Sequence, residues 1–325
     1  MALQQGISIV IPNYNGTELL GQILPPAIVA IKNTGLPFEI IVSDDASTDD
    51  SVAYLQREFP EIICLRSSVN SGFSVTANRG VQAAKYDWTL LLNSDVKLTP
   101  NYFYYLLPYR EKQQVFGVMG QIIGWDDDHI QDGGKLLVMQ GAKIKTSYNY
   151  KPILHRPEIN YPSFYLSGAN AFVNTKLFLQ IGGFNELFAP FYIEDTELGL
   201  RAWRLGYECL YEHRAVCRHR TSSTIATAQK KKKIQIIYNR NKMFLHAIHL
   251  NGWMLLLWFT QLKLEILFNI ITLRFSLVKS YLKFWGHIGS VIRFRKSFKP
   301  IVSVKEVCNK INKGLSSESI QQFKN

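Results

Sequence analysis

Cysteine is scarce and unpatterned: Cys64, Cys209, Cys217 and Cys308 are the chain's 4 cysteines, and none stands in a Cys-x-x-Cys spacing. That excludes a zinc cluster built on close cysteine pairs and a small disulfide framework, and fits a reducing compartment. The N-terminus, MALQQGISIVIPNYNG, has no basic stretch followed by a long apolar one and so lacks the pattern of a secretory signal. After its first apolar run, Pro12-Asn13-Tyr14-Asn15-Gly16 supplies no glycine-rich phosphate loop with a nearby Arg or Lys, the feature expected of a nucleotidyltransferase. The longest unbroken apolar run of the C-terminal region, Trp253 to Phe259, falls far short of the roughly twenty residues that span a bilayer, and Lys263, Glu265 and Arg274 interrupt the chain beyond it. Acidic residues are nearly missing from the same region. Residues 230–314 carry 17 Lys/Arg against 2 Asp/Glu, whereas residues 1–229 carry 19 against 22.

The residues that are present point to one large α/β core with an appended element: 325 residues, 47% apolar and 13% aromatic. Ile7 to Ile11 reads as a buried strand, and the stretch from Glu18 to Asn33 as a helix that Pro25-Pro26 must break or kink. Phe38 to Val42 is a second strand, with Ser47 or Asp49 capping the next helix, which runs to Phe59. Ile62 to Leu65 is a third strand, Val75 to Ala84 a helix, and Trp88 to Leu92 a fourth strand. This alternation implies βαβ units and a mostly parallel sheet. A ligand would then lie beyond the carboxyl ends of the strands, where the Pro12, Asp44, Asn70 and Asp95 loops fall.

Leu90-Leu91-Leu92-Asn93-Ser94-Asp95 ends an apolar strand in a carboxylate, which suits a hard divalent cation shared with a diphosphate; a turn or cap aspartate would look the same. Asp44 and Asp45 can accept hydrogen bonds from a base or ribose, or simply cap. Phe191-Tyr192-Ile193-Glu194-Asp195-Thr196-Glu197 places carboxylates at a helix start, where the dipole favours them and where one can act as a general base. Composition alone reads the same segment as a well-capped helix. His213 and His219, set among basic residues, become ligand candidates only if the fold brings them beside Asp95. Trp125-Asp126-Asp127-Asp128-His129 reads as a solvated loop.

Taken in order, IVIPNYNG, IVSDDASTDDS, NSGFSVTANRG, LLLNSDV, SGANAFV and FYIEDTELGLRAWRLGY resemble the family 2 glycosyltransferases of the GT-A fold, over Ile7 to Ser223. The resemblance implies a Rossmann-like sheet flanked by helices, a nucleotide-diphospho-sugar donor and a divalent cation, Mg²⁺ or Mn²⁺. It places Pro12 and Tyr14 in the nucleotide pocket, Asp44 on the base, and Gly72, Phe73 and Asn78 closing over the nucleotide; Asn15 and Asp45, beside these residues, are further candidates for the pocket. Asn93-Ser94-Asp95 stands for the family's Asp-x-Asp motif, leaving Asp95 as principal metal ligand with His219 completing the site. Asp195 is the implied catalytic base and Glu194 the reserve. Ala46 replaces the usual glycine of the base-reading loop, which argues that this position needs no positive φ. The implied reaction is inverting transfer from a UDP- or dTDP-linked donor to a hydroxyl of a glycan or lipid-linked acceptor in surface polysaccharide synthesis.

The expected organisation is a catalytic domain over residues 1–228, with a nucleotide-binding half to 98 and an acceptor half from 99, and then a basic, apolar-rich helical region over 229–325. The latter reads as amphipathic helices on the anionic inner face of the cell membrane, with packing on the catalytic domain or a homodimer interface as alternatives. Nucleic acid is not an expected partner. The rival functions are a nucleotidyltransferase and a non-catalytic carbohydrate- or membrane-binding relative.

Overall fold

Apolar strands and amphipathic helices alternate through the first third of the chain, and the backbone follows that alternation. The computed structural model describes residues 3–156, 159–220, 228–313, 315 and 319–323. It begins β1 (Gln4–Asn13), α1 (Thr17–Lys32), β2 (Phe38–Asp44), α2 (Ser51–Glu58), β3 (Ile63–Arg66), α3 (Phe73–Ala83) and β4 (Tyr86–Leu92). These strands pair in parallel in the order β4-β1-β2-β3, as helical crossovers require. Ile7, Ile9, Val10 and Ile11 are fully buried because both faces of β1 are covered.

The chain continues with β5 (Val96–Leu98), β6 (Val115–Gly124), β7 (Ile130–Asp132), β8 (Gly134–Gln140), β9 (Lys143–Pro152), β10 (Tyr161–Pro162), β11 (Asn170–Asn174), α4 (Thr175–Gln180), α5 (Glu194–Arg204) and β12 (Glu208–His219). β11 lies antiparallel between β4 and β6, and β12 runs parallel to β6. The GT-A-type α/β sheet is therefore present but mixed. Parallel pairing describes the nucleotide half, and the reversal at β11 begins where the βαβ pattern of the sequence fades.

The remaining elements are α6 (Ala228–His249), α7 (Gly252–Ile271), α8 (Phe275–Trp285), α9 (Ile288–Ser297), α10 (Val304–Lys313) and β13 (Ile320–Phe323). β13 closes a second, antiparallel sheet in the order β13-β9-β8. The expected boundary at 228/229, like the end of the family-like stretch at Ser223, adjoins residues 221–227, which lie outside the described residues. On either side the packing is continuous, since Met243, Phe244, Val307 and Ile311 share one apolar cluster with Val10, Ile41 and Leu91.

Proline and charge interrupt the helices less than the sequence suggests. α1 runs through Pro25-Pro26 without a break: it buries Leu20, Ile23, Leu24, Ala27, Ala30 and Ile31 on one face, and that burial outweighs a penalty of about 3 kcal/mol per interior proline. Nor do the charges at Lys263 and Glu265 keep the apolar stretch short of a bilayer's thickness, as the sequence suggested. α7 is 20 residues long and, by length and composition, apolar enough to cross a membrane. Part of it serves the protein instead: Trp258 is buried with its ring stacked on His246 (5.4 Å between centroids), and Glu265 pairs with Lys143.

Candidate active site

β1 and β2 end side by side, with Asn13 opposite Asp44 in the ladder. Asp44 is wholly buried there: Oδ2 accepts from Asn13 Nδ2 (3.0 Å) and Ser47 Oγ (2.5 Å), and Oδ1 from the Ser47 N–H (2.9 Å). It braces the loop and is not among the residues that line the cleft. The loop turns at Ala46, whose φ of 61° is left-handed, contrary to the reading that this position avoids positive φ. Alanine tolerates the turn at roughly 1–2 kcal/mol because the bonds to Asp44 hold it.

The turn delivers Asp45 to the cleft, where its two oxygens accept the N–H groups of Ser71 and Gly72, both at 2.8 Å. A cleft of about 310 Å³ is lined by Pro12, Asn13, Tyr14, Asp45, Asn70, Gly72, Phe73, Thr76, Pro190 and Phe191. Gly72 (φ 87°) meets an absolute limit, since a Cβ would sit 2.6 Å from Pro190 Cα. Tyr14 is half exposed at the mouth, a free aromatic face for a base. Two expected pocket residues are elsewhere. The Asn15 side chain accepts the Thr48 N–H (2.8 Å), away from the cleft lining. Asn78 is spent on both the N–H and the carbonyl of Phe184 (2.8 Å each), stitching α3 to the loop before α5.

Beyond β4, Asn93-Ser94-Asp95 turns under the Ser167–Asn170 loop, with the Asn93 N–H on the Ala169 carbonyl (3.1 Å). Here the fold joins residues that the sequence kept apart: His219, at the end of β12, places Nε2 3.5 Å from Asp95 Oδ2. His219 Nδ1 faces Gln131 Oε1 at 2.8 Å, so it carries the proton and leaves Nε2 free as a ligand atom. Asp95 Oδ1 is buried without any hydrogen-bond partner. An orphaned carboxylate oxygen beside a free imidazole nitrogen fits a divalent cation. His213 takes no part in this pair; its ring packs on His155 (5.3 Å) and Tyr161 (5.9 Å). With His155 and Glu212 it forms a metal-sized cluster, but Arg214 and the Tyr109 hydroxyl occupy the Glu212 carboxylate (2.8 and 3.1 Å). The Asp126–Asp128 stretch is exposed, as a solvated loop should be.

Glu194 and Asp195 open α5. Asp195 accepts the Thr196 N–H (2.6 Å), the Thr196 hydroxyl (3.2 Å) and the Gly168 N–H, and the charge of buried Lys135 also favours its ionised form. Burial opposes these and holds its pKa above the ordinary aspartate value. Glu194 is pushed up to about 8 by burial and by the Asp195 charge, and its Oε2 has no partner. Gly168 ties the parts together, since a Cβ there would lie 3.1 Å from the Phe73 ring of the cleft and 4.0 Å from Asp195 Cβ.

The segment carrying these carboxylates is strained and clamped. Tyr192 and Ile193 are both left-handed (φ 75° and 73°), which a β-branched residue rarely adopts. Asn241 of α6 is fully buried and donates from Nδ2 to the carbonyls of Phe188 (2.6 Å), Phe191 (3.0 Å) and Tyr192 (2.8 Å). Arg240 holds Asn241 Oδ1 through Nε (3.0 Å) and Nη2 (2.8 Å), and Nη2 also donates to the Ala189 carbonyl (2.5 Å). From the other side, the Phe73 N–H donates to the Pro190 carbonyl (2.9 Å). The sequence offered no sign of this clamp, because Arg240-Asn241 sits in a segment whose basic, apolar composition read as membrane-facing.

A nucleotide-sized cleft at the ends of parallel strands, a carboxylate–imidazole pair beyond β4 and a buried carboxylate at the start of α5 are the parts that a GT-A glycosyltransferase requires. Residues 8–182 match the family model for glycosyl transferase family 2, and the chain belongs to that family. Among curated proteins it is 26% identical to the N-acetylglucosaminyl-diphospho-decaprenol L-rhamnosyltransferase of Mycobacterium tuberculosis, over 59% of this chain and 69% of that one. It is also 26% identical to the chondroitin synthase of Escherichia coli, over 62% of this chain and only 32% of the synthase. GalNAc-T7, solved with UDP, GalNAc and Mn²⁺, superposes with a TM-score of 0.59 at 16% identity over 75% of this chain and 48% of its own. The Pyrobaculum calidifontis mannosyltransferase PcManGT, in complex with GDP-Man and Mn²⁺, gives 0.52 at 12% over 87% and 89%. At such identities the structural likeness speaks for the fold.

Proposed function

We propose that the protein moves a sugar, with inversion, from a UDP- or dTDP-linked donor to a hydroxyl of a lipid-linked or glycan acceptor in bacterial surface polysaccharide synthesis. The observation that carries this reading is the Ser167–Asn170 loop. One peptide of it takes Asn93 of the metal loop and the adjacent N–H reaches Asp195, so donor activation and acceptor deprotonation meet at one place. Pro12, Tyr14, Asp45, Gly72 and Phe73 seat the nucleoside, with Asp45 in the base-reading role. Asp95 and His219 would hold Mg²⁺ or Mn²⁺, which supplies charge neutralisation for the departing diphosphate. Asp195 takes the proton of the acceptor hydroxyl as that oxygen attacks the anomeric carbon from the face opposite the diphosphate. A single base suffices for direct displacement, without the carboxylate pair of a retaining glycosidase. The relatives named for a diphospho-decaprenol acceptor and for chondroitin synthesis support acceptors of this kind.

A thermal-shift panel of UDP-, dTDP- and GDP-sugars, with Mn²⁺ or with EDTA, tests the donor site. One nucleotide class is expected to stabilise the protein only with metal, and Asp95→Ala to remove the metal-dependent part. Equal stabilisation in EDTA would overturn the metal assignment.

The same reading places the enzyme at the cytoplasmic face of the membrane. α7 and α8 expose Trp253 (71%), Leu264 (62%), Ile271 (71%) and Leu282 (65%), interleaved with Lys263, Arg274, Lys279 and Lys283. This pattern suits anionic headgroups above an apolar layer. Trp253→Glu with Leu264→Glu is expected to reduce sedimentation with phosphatidylglycerol vesicles by about tenfold or more. If binding stays intact while a dimer dissociates in ultracentrifugation, the surface is a homodimer interface instead.

A further inference from the structure

Three lysines converge where α6 meets β9, short of the β9 stretch that pairs with β13. Lys143 and Lys145 are two residues apart on β9 and so project from the same face. Between them, the Ile144 N–H donates to His246 Nε2 (2.9 Å). That fixes the neutral tautomer, with Nδ1–H on the Lys242 carbonyl at 2.6 Å. α6 is thereby docked on the strand edge with Lys242 one turn above the contact, and the charges of Lys143 and Lys145 act on Lys242.

Their counter-charge is incomplete. Glu265 pairs with Lys143, and Lys145 has the neutral Gln140. Lys242 Nζ, half-buried, has among the described residues the Tyr238 ring at 5.2 Å and no hydrogen-bond acceptor. Three cations against one carboxylate leave a surplus of two charges in a partly desolvated place, which repel one another until an anion joins them.

The position of the group says what that anion belongs to. Tyr238, one turn before Lys242 and thus about 6 Å along the axis, packs its ring on Tyr192 (6.1 Å) at the approach to Asp195. Thr146, next to Lys145, shares the Tyr165 hydroxyl with Thr196, the neighbour of Asp195. On the far side, Glu265 belongs to α7, whose Leu264 and Phe268 are exposed. The lysines therefore lie between the base and an apolar surface. We propose that Lys143, Lys145 and Lys242 bind the diphosphate of a lipid-linked acceptor, its sugar hydroxyl reaching Asp195 and its hydrocarbon lying along α7. A diphosphate diester carries two negative charges, which match the surplus. The inference rests on the glycosyltransferase reading for the direction of the acceptor, while the binding itself is measurable without turnover.

The test is calorimetric binding of farnesyl diphosphate, farnesol and inorganic pyrophosphate to the full chain, alongside phosphatidylglycerol vesicles that contain no diphosphate. In the wild type, farnesyl diphosphate is expected to bind at least tenfold tighter than farnesol or pyrophosphate. Lys145→Ala with Lys242→Ala removes that advantage, whereas Lys242→Arg keeps it and vesicle binding is unchanged. Lys145→Ala alone, on a half-buried face, gives the same direction at native melting temperature. Unaltered farnesyl diphosphate binding in the double variant overturns the proposal. So does an equal loss on plain vesicles, which would make the lysines a general membrane contact, or pyrophosphate binding as tight as farnesyl diphosphate, which would make the site one for a free anion. The nucleotide thermal shift of the same variants keeps the readings apart: a wild type that binds farnesyl diphosphate but no nucleotide would sink the glycosyltransferase site and leave the lysine site standing.

Discussion

Replacing Asp195 with asparagine is expected to lower kcat by about 10²–10⁴, the usual contribution of a general base, while donor binding in the thermal-shift assay stays as in the wild type. The assignment between the two adjacent carboxylates comes from their surroundings. Asp195 receives three hydrogen bonds and the field of Lys135, all favouring the anion. Glu194 is buried, has an oxygen with no donor and feels the Asp195 charge, so it keeps its proton to about pH 8. Glu194 is therefore the protonated member of the pair at neutral pH, and the interactions that favour a carboxylate anion are gathered on Asp195. Glu194→Gln, which mimics the neutral acid, should therefore retain activity within about tenfold of the wild type. The pH dependence has a fixed sign. Because burial raises the Asp195 pKa, kcat/KM climbs with pH along an acid limb above the ordinary aspartate range near ~3.9, and Glu194→Gln leaves that limb in place. Release of nucleoside diphosphate, followed against pH for the three proteins, checks both statements. A Glu194→Gln defect as deep as that of Asp195→Asn would reverse the roles.

The sequence showed the strands β1 to β4 and their helices because each is a local pattern of apolar spacing closed by turn residues. It placed Pro12, Tyr14, Gly72, Phe73 and Asp95 together at the strand ends for the same reason, since all sit where a βαβ unit exposes its loops. Direction, by contrast, was not legible. Asp44 and Asp45 are adjacent carboxylates in one loop, and only the parallel register that sets Asn13 against Asp44 turns the first inward and the second into the cleft. Asn78 looked like a lid residue and is a brace, since its amide matches the peptide of Phe184, far away in sequence. Ala46 adopts the left-handed turn that its missing glycine seemed to deny, because a short network of hydrogen bonds outweighs the penalty of a single methyl group. From its neighbouring residues alone His219 was a conditional ligand, and the condition is met where β12 runs back beside β5.

Asn241→Ala is the second large effect, and it falls in the region whose composition spoke only of membranes. The substitution leaves the carbonyls of Phe188, Phe191 and Tyr192 without their shared donor. Tyr192 and Ile193 hold left-handed conformations worth about 1–3 kcal/mol of strain each, so the segment has reason to relax once released. Asp195 comes two residues later, and a base displaced by ~1 Å can lose about 10² in rate. The expected result is a kcat lower by about a hundredfold, with a smaller loss of donor affinity, since Pro190 and Phe191 also wall the cleft. Asn241→Asp keeps the size and removes the donor, so it should fail to rescue. Hydrogen exchange distinguishes positioning from general destabilisation: amide protection should fall over residues 188–197 and hold elsewhere, at a temperature where the variant remains folded. A variant that melts earlier yet turns over at the wild-type rate, with unchanged protection over that segment, would make Asn241 a residue of the fold and not a positioning residue for the base.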